Sequence, residues 1–403
     1  MTVVTAQCCI VGGGPAGVMA GLLLARAGVE VIVLEKHADF LRDFRGDTIH
    51  PSTLELMHEL GLMEAFLKLP HDKVEELAGQ VGDQVIPMAD FRHLPTRSKF
   101  LVLMPQWEFL NFLTSQGERY PGFHLLLRTQ ATGLIESKNG IEGVRAHGPQ
   151  GAFEIRAPLT IAADGRHSIL RDQAGLSVLD IGAPMDVLWM RLSRRDSDPA
   201  QTLGRFDSGA ILVMLNRGDY WQCAYVIPKG GYDRVKQAGL AMFRRKLASL
   251  SGLEARSEEI RGWDDVKLLT VSVDRLRRWH RPGLLCIGDA AHTMSPVGGI
   301  GINLAIQDAV ATANLLHAKL REGAVTDADL AALQRRREWP TKATQWGQVQ
   351  VQNRVISAVL SSNQALKPPL FLRLLGRFPI LRRIPARLIG MGVRPEHIGS
   401  PER

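Results

Sequence analysis

Apolar residues near the start of the chain come in runs, each ending on glycine. Residues 3–11 form an apolar, β-branched run that ends on Gly12-Gly13-Gly14-Pro15-Ala16-Gly17. Such a run, closed by turn residues, predicts a buried strand. The Ala/Leu-rich stretch 18–27 predicts a helix that Gly28 can end, and residues 30–34 predict a second strand closed by Glu35. Two later runs repeat the pattern. Residues 160–163 lead into Asp164-Gly165, and residues 284–287 lead into Gly288-Asp289. The second continues through Pro296 and Gly298-Gly299-Ile300-Gly301 to a helix starting near Ile302-Asn303. Both runs put a carboxylate at the C-terminal edge of a parallel sheet, where open α/β sheets bind ligands.

The middle of the chain is patterned differently. Residues 219–228 alternate, which places Trp221, Cys223, Tyr225 and Ile227 on one strand face. That stripe either lines an aromatic pocket or covers a half-buried sheet, and plain packing is the commoner meaning of such stripes. Arg205, Phe206 and Met214 are equal candidates for a pocket. Residues 71–105 read as a smaller insertion joining the same sheet, and the C-terminal part is helical with Gln-rich and Arg-rich faces. The expected division is a nucleotide-binding domain of 1–70, 106–175 and 276–330, a substrate domain of 71–105 and 176–275, and a helical region of 331–403.

The first turn has a physical logic. Gly12 permits a tight turn, Gly14 lets the backbone approach a pyrophosphate, and Gly17 lets the helix pack closely on the strand. The pyrophosphate then meets free N–H groups at a helix start, beside Pro15 and Ala16, where the dipole favours negative charge. Glu35, 18 residues past Gly17, is placed to accept both hydroxyls of an adenosine ribose, with Lys36 beside it as a further cofactor-binding candidate. This element serves FAD and NAD alike.

Composition narrows the classes. The chain has 403 residues, 45% hydrophobic and 22% charged, as expected of folded globular domains. Residues 1–25 carry no charge, but they lack a basic leader and are interrupted by Gly12 to Pro15, so a signal peptide or spanning helix is not expected. A cytoplasmic location is expected. Cys8, Cys9, Cys223 and Cys286 show no metal or disulfide spacing, and no metal is expected. The net charge of +8 is uneven: from Leu366 onward there are eight Lys/Arg against two Glu. No nucleic-acid-reading element accompanies this basic tail. Residues 370–391 mix aliphatic residues with arginines, so the tail either caps the protein's own core or rests on an anionic membrane surface. Pro379 and Pro385 break a long helix and favour the cap.

The order and spacing of four features resemble one family over nearly the whole length. These are Gly12 to Gly17 with Glu35, Arg45-Gly46, Asp164-Gly165, and Gly288-Asp289 with the turn from Pro296 to Asn303. Together they resemble the flavoprotein aromatic hydroxylases of the para-hydroxybenzoate hydroxylase type. The resemblance implies an α/β fold: a Rossmann-like FAD-binding domain, an inserted mixed β-sheet substrate domain and a C-terminal helical region. It implies FAD with NADPH or NADH as cofactors, and molecular oxygen and a small aromatic molecule as reactants. It also implies hydroxylation through a flavin C4a-hydroperoxide. By resemblance, Asp289 binds the ribityl chain, Gln106 contacts the cofactor, and Asp164 touches the dinucleotide region and is implicated in nicotinamide binding. Arg45 lies beside the flavin and, with Pro296, is the catalytic candidate. The turn after Pro296, with Gly299 as a further cofactor-binding candidate, faces the isoalloxazine, and Gly301, Ile302 and Asn303 are placed to offer N–H groups to reduced flavin. Two departures concern the substrate subgroup. Many relatives have Gly-Gln-Gly where this chain has Gly299-Ile300-Gly301, and many have Arg where it has Gln106.

In such chemistry the cofactor reacts, and the protein orients it and excludes water. No catalytic triad is expected. His292 reads as a hydrogen-bonded structural residue and His167 as part of a turn, while His50 either enters a helix before Pro51 or approaches the flavin. Three other readings compete: a flavin reductase or oxidase of the same fold, a non-catalytic flavin sensor, and a flavin-dependent halogenase. The halogenase is disfavoured because its Trp-x-Trp-x-Ile-Pro run is absent from residues 223–228.

Overall fold

A computed structural model describes residues 2–41, 48–198, 203–362, 364, 366 and 368–403. It is a mixed α/β fold organised around a six-stranded sheet. The strand order is His280–Arg281, Leu284–Cys286, Leu159–Ala162, Cys8–Val11, Val31–Leu34 and Phe123–Leu126. All neighbours in it are parallel except the first pair. Parallel pairing requires a crossover, and the helix Pro15–Arg26 supplies it between Cys8–Val11 and Val31–Leu34. The register sets Val11 opposite Ala162, and Ala162 opposite Cys286. Three glycine-bearing turns, after Val11, Ala162 and Cys286, therefore emerge side by side from one sheet edge.

Close approach explains the glycines. Gly12 has φ +112°, and a Cβ there would lie 2.2 Å from the carbonyl oxygen of Ala163. A Cβ on Gly17 would lie 1.9 Å from the Gly12 carbonyl oxygen. One sheet face is covered by the helices Pro15–Arg26, Gln106–Gly117 and Gly301–Arg321, whose apolar sides form the largest core. The other is covered by a four-stranded sheet of Thr2–Thr5, Gly151–Arg156, Gly140–Gly148 and Gln130–Ser137.

A seven-stranded sheet forms the second layer. Its order is Lys267–Leu269, Met185–Ser193, Tyr220–Pro228, Ala210–Asn216, Leu203–Asp207, Glu76–Val81 and Gln84–Asp90. Trp221, Cys223, Tyr225 and Ile227 pack from one face onto Phe243 and Leu247 of the helix Leu240–Ser251, together with Met214. The aromatic stripe is therefore core packing.

The expected segment boundaries shift in three places. Leu101–Leu103 pairs with Thr48–Ile49 on one side and Asp72–Val74 on the other in a small sheet, so neither 72–74 nor 101–103 joins the seven-stranded one. Val178–Asp180 and Asp274–Leu276 join His292–Thr293 in another. The helix Asp327–Val351 crosses the expected boundary at 330/331. Short two- and three-residue pairings of this kind carry too little periodicity to be read from sequence. Among the described residues, no helix is long and apolar enough to cross a membrane, and no cluster of ligands could hold a metal.

A buried charge network ties these pieces together. Asp308, fully buried on Gly301–Arg321, has Oδ2 2.6 Å from His292 Nε2 and accepts the Gly288 N–H at 3.1 Å. Its Oδ1 accepts from Arg337 Nε at 3.0 Å, and Arg337 Nη1 donates to Glu396 at 3.2 Å. Glu396 also pairs with Arg336 at 2.7 Å. His292 is thus a hydrogen-bonded structural residue.

Burial alone would raise the Asp308 pKa, but His292 and Arg337 reverse this and hold it below the usual carboxylate value. A carboxylate with a depressed folded-state pKa contributes stability above its unfolded value, and that contribution is lost as pH falls. We expect Asp308→Ala to cost about 3–5 kcal/mol, because Arg337 would remain buried without its carboxylate. Urea unfolding at neutral pH measures this. Below about pH 4, Asp308→Asn should show a shallower loss of stability with acid than the parent chain, and an identical slope would count against the assignment.

Candidate active site

One cavity of about 1090 Å³ follows the sheet edge and continues over the seven-stranded sheet. At one end its wall is built from the first turn. Gly12, Gly14, Pro15 and Ala16 line it, followed by Glu35 and Lys36 at the end of the neighbouring strand. Gly14 has open space where a Cβ would sit, with nothing within 4 Å, so its backbone is open to the cavity. The helix Pro15–Arg26 has no side-chain cap and no acid in its first turn, leaving its early N–H groups for a ligand. Gly17 is not on the wall, since its role is the contact with Gly12.

Glu35 is held in place. Its Oε2 accepts the Gly13 N–H at 3.1 Å and its Oε1 accepts the His37 N–H at 3.0 Å. Both bonds come from backbone groups of the surrounding turns, so the carboxylate is oriented before any ligand arrives.

The other two turns complete this half. Asp164 lines the cavity with Oδ2 accepting the Ile169 N–H at 3.0 Å, while Oδ1 is buried and has no partner among the described residues. Burial raises its pKa. Asp289 also lines the cavity and lies 3.9 Å from Arg166 Nη2. Arg166, on the same wall, was not anticipated from sequence, because an arginine in an Asp-Gly turn carries no periodic signal. Gln106 stands on the wall at the first position of its helix.

Pro296, Val297, Gly299, Gly301 and Ile302 form the waist of the cavity. Gly298 and Gly299 have φ of +78° and +63°, and a Cβ on Gly299 would sit 2.9 Å from Thr48 Cβ, so the turn requires glycine there. The helix that follows, Gly301–Arg321, also lacks a capping side chain and a first-turn acid. The side chain of Asn303 lies off this wall and braces the turn, while its backbone stands in the first turn of the helix. Its Oδ1 accepts from the His50 N–H and Thr53 Oγ1, both at 2.8 Å, and its Nδ2 donates to the carbonyls of Thr48 and Gly299. Ile300 is likewise off the wall. His50 is buried at the entry of the helix Pro51–Glu59, with Nδ1 2.6 Å from the Ile389 carbonyl oxygen, and burial pushes its pKa down to about 4. Arg45 lies outside the described residues.

Beyond the waist the wall is apolar. Val187, Trp189, Phe206, Val213, Ala224 and Val226 line it, all from the sheet face opposite the Trp221 stripe or its margins. Arg205 is not on it. The single charged side chain on this half, among the described residues, is Arg354. It stands on a π-helical turn, Gln352–Ile356, of the kind often found at functional sites. Alternation marks the strands but treats their two faces alike, which is why the lining face could not be chosen from sequence.

These features fit a bound dinucleotide: an open glycine backbone, two uncapped helix starts, a fixed carboxylate at the second strand and an unpartnered Asp164 oxygen. Comparison with known proteins agrees. The model of the FAD binding domain family matches residues 5–347. The 6-methylpretetramide 4-monooxygenase of Streptomyces rimosus is 31% identical over 94% of this chain and 91% of its own length. The 12-dehydrotetracycline 5-monooxygenase/anhydrotetracycline 6-monooxygenase of the same species is 27% identical over 75% of this chain, which spans 60% of that enzyme. The crystal structure of p-nitrophenol 4-monooxygenase from Pseudomonas putida superposes with a TM-score of 0.75 at 20% identity, covering 98% of this chain and all of that one. The chain therefore belongs to the FAD-binding family of flavin-dependent aromatic monooxygenases.

Proposed function

We propose that this monooxygenase takes electrons from NADH or NADPH and hydroxylates an electron-rich, extended aromatic molecule bound against the apolar sheet face. The observation that carries the reading is the continuity of the cavity. It runs from the dinucleotide turn, past the 296–302 turn, to Val187, Val213 and Val226, and beyond that turn Arg354 is the one charged side chain on its wall among the described residues. A relative named for 6-methylpretetramide matches nearly the whole chain, another is named for anhydrotetracycline, and both support an extended substrate.

The residues divide the work. Glu35 would accept the ribose hydroxyls, the Gly12 to Gly17 turn would hold the pyrophosphate, and Asp289 and Gln106 would contact the remainder of the FAD. Bound FAD supplies the redox and oxygen chemistry. Gly301 and Ile302 offer backbone N–H groups at the waist, where negative charge on the reduced cofactor is best met by fixed dipoles. Asp164 and Arg166, both on the cavity wall, would meet a nicotinamide cofactor, and we assign Arg45 to that step on resemblance alone. Pro296 and Val297 keep the waist apolar and exclude water, which otherwise diverts oxygen to hydrogen peroxide.

The test is substrate-stimulated oxidation of NADH or NADPH across a panel of phenolic and polycyclic aromatics, with labelled dioxygen. One labelled atom in the product is expected. If every stimulating compound returns unchanged, an oxidase or reductase replaces this reading.

Two variants probe its halves. Glu35→Ala should weaken FAD binding by about 1–3 kcal/mol, through lost hydrogen bonds to the ribose, read by flavin fluorescence titration. Val297→Asp should leave FAD bound yet wet the waist, so that hydrogen peroxide accounts for a larger share of the NAD(P)H consumed. Unchanged coupling would remove the water-exclusion role from Val297.

A further inference from the structure

We propose that the face formed by residues 370–388 is a docking surface for an anionic lipid bilayer. The segment folds as Leu370–Arg377, Pro379–Arg382 and Arg383–Gly390. Its inner side is already used: Leu372 and Leu375 pack with Val81 and Ile86, and Ala386 packs with Phe91 and Leu94. Arg382 Nε and Nη2 each donate at 2.9 Å, to the carbonyls of Leu375 and Gly376, which fixes the bend between helices. What points outward is therefore not waiting for a core.

That outer side is apolar. Leu370, Phe378, Ile380, Ile384 and Leu388 are each at least 50% exposed. Interleaved with them, Arg373, Arg377, Arg383 and Arg387 are exposed and form no ion pair among the described residues. No Asp or Glu occurs between Leu366 and Pro395. On the packed hairpin, Asp90 and Glu76 are both paired with Arg92, while Asp83 at the tip and Glu75 at the base are exposed acids.

Charge selects among occupants. A second copy docked face to face would set arginine against arginine, because a two-fold interface repeats the same patch. An anionic surface attracts all four guanidinium groups, whose stems lie along apolar surface while their heads reach phosphate. Isolated aliphatic tips on short helices suit shallow insertion at the headgroup boundary. The cavity also reaches this face, since Pro369 and Phe371 are exposed and line it. A docked bilayer would thus border the apolar opening.

The test is sedimentation of the FAD-loaded full chain with vesicles of phosphatidylcholine alone or mixed with phosphatidylglycerol. Binding to the mixed vesicles should exceed binding to the neutral ones by at least about tenfold and fall as salt rises. The triple variant Arg377→Glu, Arg383→Glu, Arg387→Glu should lose it, and Ile380→Gln with Ile384→Gln should reduce it, both with unchanged melting temperature and bound FAD. Absence of vesicle binding, or binding indifferent to these substitutions, overturns the proposal. So does light scattering that shows a dimer dissociating in the arginine variant without vesicle binding, which would assign the face to a second copy. Because the readout is sedimentation, it is independent of whether the hydroxylation reading holds.

Discussion

The carboxylate of Asp308 is where the separate parts of this fold become one site. It accepts the N–H of Gly288, the residue before Asp289, and so anchors the turn that presents Asp289. It stands on the helix whose first turn faces the cavity, and it reaches Arg337 on the next helix and, through Arg337, Glu396 near the C-terminus. A buried charge of this kind is tolerated only with partners on every side. Its partners come from the 288–292 segment and from Arg337, which in turn holds Glu396, so satisfying Asp308 requires the strand end, both helices and the tail to be in place together.

How far the sequence discloses this depends on the range of the interaction. The first turn was legible because its demands are local. A positive φ at Gly12, a close contact at Gly17 and a terminal acid at Glu35 all lie within one strand–helix–strand unit. Asp164 and Asp289 were legible for a related reason, since strand ends in a parallel sheet share an edge. Asp308 was not. A single acid inside an apolar helix and an arginine on the following helix look like unrelated residues until the fold apposes them.

The substrate side shows a different limit. The alternation in Tyr220–Pro228 identified a strand with one packed face, and that much held. Which face meets the helix Leu240–Ser251 and which meets the cavity is decided by the layers above and below, not by the strand. Both faces are apolar here because both are covered, one by a helix and one by the cavity wall. Asn303 has a use that its place after a glycine turn does not disclose: its side-chain amide is bonded to His50, Thr53, Thr48 and Gly299.

That use of Asn303 is itself informative about the waist. Backbone N–H groups stabilise developing negative charge only if they are already aimed, because reorienting dipoles during reaction costs what the stabilisation would gain. A turn with two glycines in left-handed conformations has no intrinsic rigidity. Here the rigidity is imported. Asn303 clamps the turn to the 48–53 segment, and the crowding of Gly299 against Thr48 leaves the loop no room to swing inward. Loss of the Asn303 amide would therefore loosen the turn without removing any group from the cavity wall. In this chain the glycines open the turn to the cavity, and one buried amide holds that turn in place.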